Sequence, residues 1–153
     1  MGGICLYDRE NDNFRTLSNG GKPIYVASYL LVEGGVLLSG SGAIYKYAYA
    51  TNKLEPLYYA QDPAYYTPFW QMIRFDDENI LLNSRWHGIY SFNMRTYELK
   101  KIESFTEKNY TCIYLDSYHR LWVSVYGSGL YCYQDDKPVS YTHLRAHETV
   151  LDL

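Results

Sequence analysis

One five-residue motif recurs four times along the chain, and its spacing limits the fold more tightly than any other feature. Gly3-Ile4-Cys5-Leu6-Tyr7, Ala43-Ile44-Tyr45-Lys46-Tyr47, Gly88-Ile89-Tyr90-Ser91-Phe92 and Gly129-Leu130-Tyr131-Cys132-Tyr133 align on Ile4, Ile44, Ile89 and Leu130, at steps of 40, 45 and 41 residues. Periods of this length mark stacked copies of one supersecondary unit. An apolar residue returns ten places after the anchor at Phe14, Leu54 and Leu99, and ahead of it Ile80-Leu81-Leu82-Asn83 aligns with Leu121-Trp122-Val123-Ser124. The fullest copy, Cys112 to Tyr133, holds three runs of branched and aromatic residues, broken at Asp116-Ser117-Tyr118-His119-Arg120 and at Tyr126-Gly127-Ser128-Gly129. That is strand and corner chemistry. With the run after the anchor each unit has four strands, the number in a propeller blade. The chain is therefore expected to be all-β, a partial β-propeller of about three and a half four-stranded antiparallel blades.

The repeat divides the chain into a half blade at 1–19, blades at 20–58 and 59–104, and an incomplete blade at 105–138. The first whole blade is expected to open with a strand from Tyr25 to Val32, and the outer strand of the last blade is due near Ser140. A propeller closes with typically four to eight blades. The chain is thus an open arc whose end blades present uncovered apolar faces, and the remaining blades of a longer parent are its first expected partner.

Charge and composition exclude several partners. A net charge of −3 with 20% charged residues offers no basic field to nucleic acid. No run approaches the roughly 18 apolar residues of a membrane span, and no membrane contact is expected. The nineteen tyrosines are explained first by the architecture, because both faces of a blade meet a neighbour and rings fill the wedge while their hydroxyls stay wet. On that argument roughly four in five of them pack structurally. The three cysteines form no disulfide framework. Cys112 and Cys132 fall on the first and third strands of one blade, about 9.5 Å apart and beyond the ~7 Å reach of a bridge, so they are expected as small buried thiols.

The longest connection, Tyr58 to Trp70, carries six aromatic rings and two prolines in thirteen residues, and proline keeps a central strand out of it. In a propeller such a connection shares one rim, over the central channel, with the turns between second and third strands. Ser84-Arg85-Trp86-His87 and Tyr126-Gly127-Ser128 are those turns. Rings interleaved with polar tips suit a sugar, stacking on its C–H faces and bonding its hydroxyls. The candidate ligand-binding residues are Tyr65, Tyr66, Trp70, Arg85, Trp86, His87, Tyr110 and Tyr126. For Trp70 the competing role is packing at the start of an inner strand; for Tyr65, Tyr66, Arg85, Trp86 and His87 it is surface decoration.

No catalytic set, cofactor or metal site is expected. Arg85, His87 and His119 lack a triad spacing, and Asp76-Asp77-Glu78-Asn79 lacks the ligand alternation of a calcium loop. Gly40-Ser41-Gly42 and Gly127-Ser128-Gly129 sit between strands, not ahead of a helix that could hold phosphate. Asn109-Tyr110-Thr111 is a formal glycosylation sequon at the start of a strand.

The run Ile113-Tyr114-Leu115-Asp116, Arg120-Leu121-Trp122-Val123-Ser124 and Gly127-Ser128-Gly129-Leu130-Tyr131-Cys132-Tyr133 resembles the two-component regulator propeller repeat. The resemblance extends over nearly all of Met1 to Tyr133, with Leu81 in place of the repeat's Trp and Ala43 in place of its Gly as departures. It implies the open arc of a seven-bladed ring, from the periplasmic region of a hybrid two-component histidine kinase that is homodimeric as a whole. Such a propeller senses a small-molecule or oligosaccharide ligand and is not itself an enzyme. Two other roles suit the same fold: a propeller enzyme, a lyase or glycan-active hydrolase using His87 and Arg85, and a protein-interaction scaffold. From Val139 onward the chain has no period-two pattern and looks like the translated sequencing-adapter tail found at the ends of unrelated reading frames. His143 and His147 are therefore not read as a metal pair.

Overall fold

The computed structural model describes residues 3–40, 42–60, 69–106, 108–134 and 137–139, and among them every regular element is a β-strand. Strands β1 (Cys5–Asp8) and β2 (Asn13–Thr16) pair as an antiparallel half blade, followed by a small hairpin of β3 (Ser18–Asn19) and β4 (Lys22–Pro23). Three four-stranded antiparallel sheets come next, each with its strands in chain order. Blade 1 contains β5 (Ser28–Val32), β6 (Gly35–Gly40), β7 (Ala43–Ala48) and β8 (Lys53–Tyr59). Blade 2 contains β9 (Phe69–Arg74), β10 (Asn79–Ser84), β11 (Gly88–Asn93) and β12 (Leu99–Lys101). Blade 3 contains β13 (Tyr110–Leu115), β14 (Leu121–Val125), β15 (Gly129–Gln134) and β16 (Lys137–Val139). The architecture is an open arc of propeller blades.

The apolar residues ten places after the anchors lie on β2, β8 and β12, each an outermost strand of its sheet. Three details depart from the expectation. Blade 1 opens at Ser28, not Tyr25, because residues 25–27 pass beside Gly40 with only the Ala27 amide joined to the Ser39 carbonyl, at 2.8 Å. The outer strand of blade 3 opens at Lys137, ahead of Ser140, and pairs Val139 with Cys132. The hairpin of β3 and β4 was not expected; it turns on Gly20 and Gly21, both at positive φ (58° and 78°), where a side chain would be strained.

Alternation along each strand sends neighbouring side chains to opposite seams. Ile80, Leu82, Met72 and Phe92 of blade 2 pack with Leu37 and Ile44 of blade 1, while Leu81 and Ile89 pack with Ile113, Val123 and Val125 of blade 3. Leu38, Tyr45 and Tyr47 of blade 1 pack with Leu17 and Ile24 on the side of the half blade. Each fully buried aliphatic or Phe side chain contributes about 1.5–3 kcal/mol.

A cross-strand pair stands at the equivalent place in each four-stranded blade. In blade 1 the pair is Ser28 and Ser39, in blade 2 Gln71 and Asn83, and in blade 3 Cys112 and Ser124. The Met72 amide donates to Ser28 Oγ (3.2 Å), and Ser39 Oγ donates to the Phe69 carbonyl (2.6 Å). One blade further, Gln71 Nε2 donates to the Ile113 carbonyl and Gln71 Oε1 accepts the Ile113 amide, both at 2.8 Å, and Asn83 Nδ2 donates to the Tyr110 carbonyl at 3.2 Å. Inner-strand backbone that would otherwise be dry and unpaired is satisfied by side chains of the preceding blade. Asn83 Oδ1 is the exception, buried without a partner.

The corner of blade 3 ties Asp116 to Trp122, six residues further on. Asp116 Oδ1 accepts the amides of Tyr118 (2.9 Å) and Arg120 (3.0 Å), and Oδ2 accepts Arg120 Nε (2.8 Å) and the Trp122 indole N–H (2.9 Å). Desolvation pushes the Asp116 carboxyl up, but these donors outweigh it and hold the group well below the usual carboxylate range. In blade 2, Asp76 caps the same corner through the Glu78 and Asn79 amides (2.8 and 2.7 Å), and Leu81 stands where Trp122 does.

Two burial expectations fail. Cys112 is exposed, as is Cys5, and only Cys132 is buried. Nine of the sixteen described tyrosines are exposed, Tyr29 (67%), Tyr114 (62%) and Tyr126 (74%) among them, against the expectation that most would fill seams. The reason is geometric: Tyr114 lies on a sheet face that no described blade covers, Tyr29 lies on the edge strand β5, and Tyr126 lies in a turn.

Candidate ligand-binding site

Strand direction puts the start of β9, the β10–β11 turn, the start of β13 and the β14–β15 turn on one rim. Phe69 is buried at the start of β9, so alternation turns Trp70 outward and leaves it 47% exposed. The β10–β11 turn is closed by the His87 amide on the Ser84 carbonyl (3.2 Å). Gly88 follows at φ 101°, with the Phe105 carbonyl 2.8 Å from where a Cβ would stand, so only glycine fits.

That turn places the Arg85 guanidinium over two half-exposed indoles, 6.0 Å from the Trp70 ring centre and 5.5 Å from that of Trp86. Its Nε donates to Asn109 Oδ1 at 3.2 Å. The Arg85 carbonyl accepts the Tyr110 amide and the Asn109 carbonyl accepts the Tyr126 amide, both at 2.9 Å. Asn109 and Tyr110 thereby join the rim turns of blades 2 and 3. Trp70, Arg85, Tyr110 and Thr111 line an open cavity of about 170 Å³.

The expected site residues are distributed unevenly around this cavity. Trp70 and Arg85 line it, and Trp86 stacks with Arg85. Tyr110 forms its floor, almost fully buried, with its hydroxyl donating to the Thr106 carbonyl at 2.7 Å. Burial pushes that hydroxyl's pKa up, so it stays a neutral donor. His87 is half-buried in the same turn, and exposed Tyr126 joins the group through its backbone amide. Tyr65 and Tyr66 lie outside the described residues. Sequence reasoning missed Asn109 and Thr111 as site residues; the available signal was a short amide side chain at the entry of an inner strand, noticed only as part of a sequon.

Larger clefts open at the other end of the strands. One of about 590 Å³ lies between blades 2 and 3, lined by Phe75, Leu81, His119, Leu121 and Tyr133 among others. Its counterpart between blades 1 and 2 has about 300 Å³. A cleft that recurs at each seam follows from blades fanning apart, whereas the rim cavity lies beside an arginine set over two half-exposed indoles. Among the described residues no group of three or more His, Cys, Asp or Glu could hold a metal ion, and no helix is long and apolar enough to cross a membrane.

No family model matches the sequence, and no curated protein matches it. Solved structures share its fold. The extracellular domain of BT4673 from B. thetaiotaomicron, described in one structure as part of a one-component system, is 16% identical with a TM-score of 0.64 over 86% of this chain. In a second structure, where BT4673 is described as a hybrid two-component system, the values are 18% and 0.63 over 86%. The extracellular domain of BT3049, a hybrid two-component system of the same organism, is 14% identical with a TM-score of 0.56 over 89%. At these identities the likeness establishes the fold alone, one shared with the extracellular domains of such systems. The chain spans about a fifth of the length of these structures, 19%, 19% and 18%.

Proposed function

We propose that the chain is part of an extracytoplasmic, periplasmic sensor propeller in two-component signal transduction and that its rim binds an oligosaccharide without turning it over. The observation that carries the ligand half of this reading is the Arg85 guanidinium lying over the half-exposed indoles of Trp70 and Trp86 beside a small cavity. Flat rings stack on the C–H faces of a pyranose, and the guanidinium N–H groups supply directional bonds to its oxygens. The sensor half draws on the fold shared with extracellular domains of hybrid two-component systems. In the parent, the remaining blades complete the ring. Ligand at the rim shifts the packing of a homodimer by the difference in its affinity for the two packings.

The test is a glycan array probed with the full chain and with Trp70→Ala and Trp86→Ala. Each substitution is expected to weaken sugar binding roughly three- to tenfold. Unchanged affinity in both variants, or release of a cleaved product, refutes the reading.

A further inference from the structure

Arg85 differs from the paired arginines of the molecule in what holds it. Arg95 is paired with Glu78 and Arg120 with Asp116, each at 2.8 Å. Arg85 belongs to no ion pair among the described residues; its Nε is held by a neutral amide, Asn109 Oδ1. An amide fixes the guanidinium without neutralising it. The indoles of Trp70 and Trp86 take its flat face, which leaves the edge with the terminal N–H groups for a ligand. No carboxylate lines the cavity. A propped, unneutralised guanidinium beside a sugar-sized space matches a planar or tetrahedral oxyanion, which it can bind through two parallel N–H donors.

We infer that the rim cavity selects an oligosaccharide bearing an anionic substituent, a carboxylate or a sulfate, with Arg85 as the anion-binding group and Asn109 as its positioning residue. This rests on the rim being the sugar site, and its test separates the two claims. The full chain and its variants are titrated with oligogalacturonate, with the carboxyl-reduced neutral oligomer of the same length, and with that neutral oligomer O-sulfated; the three are also printed on an array of neutral, uronate and sulfated glycans.

At low salt the wild type is expected to bind an acidic oligomer about tenfold more tightly than its neutral counterpart, with the preference shrinking as salt is added. Which acidic form is preferred separates carboxylate from sulfate. Arg85→Gln removes the preference, so that acidic and neutral oligomers are bound with the same, weaker affinity. Asn109→Asp supplies Arg85 with an internal carboxylate and also removes the preference, although the rim stays intact, an effect that a merely structural role for Asn109 would not produce. Neutral sugars bound as tightly as acidic ones, or an acidic preference untouched by Arg85→Gln and Asn109→Asp, overturns the inference while the sugar reading stands. A folded chain that binds nothing on the array overturns both.

Discussion

Blades 2 and 3 turn the same face in the same direction along the arc, and only one of those faces is covered. On blade 2 the face carries Gln71, Ile73, Leu81, Asn83 and Ile89, and blade 3 packs on it. The register places Cys112, Tyr114, Trp122, Ser124 and Leu130 at the equivalent positions of blade 3, where no described blade lies against them. Leu81 and Ile89 are 3% and 0% exposed, while Tyr114 is 62% and Leu130 40% exposed. The covered face satisfies the neighbouring backbone with two amides. On the open face, Trp122 turns its polar edge to its own corner through Asp116, and Ser124 Oγ is bonded by the Thr111 hydroxyl of its own sheet at 2.8 Å. The contrast shows that a blade face is built of two layers of chemistry: aliphatic side chains supply the burial, and a central polar pair meets the backbone of the next blade.

Breaking the covered face should cost most. Ile89→Ala, in the seam with Ile113 and Val123, is expected to destabilise the chain by about 2–5 kcal/mol, read as a lower midpoint in urea with an unchanged slope. A loss below ~1 kcal/mol would mean the seam relaxes around the gap and the comparison overstates its packing. The polar layer comes next. Gln71→Leu leaves both the amide and the carbonyl of Ile113 without a partner and is expected to cost about 1–3 kcal/mol. At the equivalent open position, Cys112→Ala is expected to stay within about 0.5 kcal/mol of wild type. Equal losses at the two positions would show that the amide bonds add nothing beyond shape.

The corner behind Trp122 adds a pH dependence. The Asp116 carboxyl is held below its ordinary value by Trp122, Arg120 and Tyr118 donors that outweigh its desolvation. Its stabilisation is therefore complete above the unfolded carboxylate pKa of about 3.9 and is lost as pH falls below that value toward the folded one. The thermal midpoint of the wild type should fall between about pH 4 and 2, and Asp116→Asn should lack that component while being less stable at neutral pH. Parallel pH profiles for the two proteins would rule this out.

Much of the architecture was legible because it is periodic. In the three four-stranded blades the anchors Ile44, Ile89 and Leu130 fall on third strands and Leu54 and Leu99 on fourth strands, a regularity that any chain of stacked four-stranded units must print in its sequence. Burial was less legible. In a propeller both faces of a strand are apolar, so Tyr114 and Ile73 read alike although one meets solvent and the other a neighbouring blade. The same ambiguity misplaced Cys112. At the site, Trp70, Arg85 and Trp86 could be assigned to one rim from turn positions alone. The role of Asn109 could not, because it depends on a contact with Arg85 across 24 residues of chain, set by how two blades sit against each other.

The smallest expected effect is the sharpest test of the open face. Leu130→Lys combined with Tyr114→Lys places charges where Ile89 and Ile73 stand in blade 2. If the face is solvated as its exposure indicates, long side chains there keep their ammonium groups in water and rest their stems on Trp122, and stability should change by no more than about 0.5 kcal/mol. Solubility should rise, because an exposed apolar sheet face invites association and lysine opposes it. Ile89→Lys, at the matched covered position, must bury a charge without a partner and should abolish cooperative folding. If the double lysine variant melts like Ile89→Lys instead, the face is occupied in solution and is one half of a closed seam.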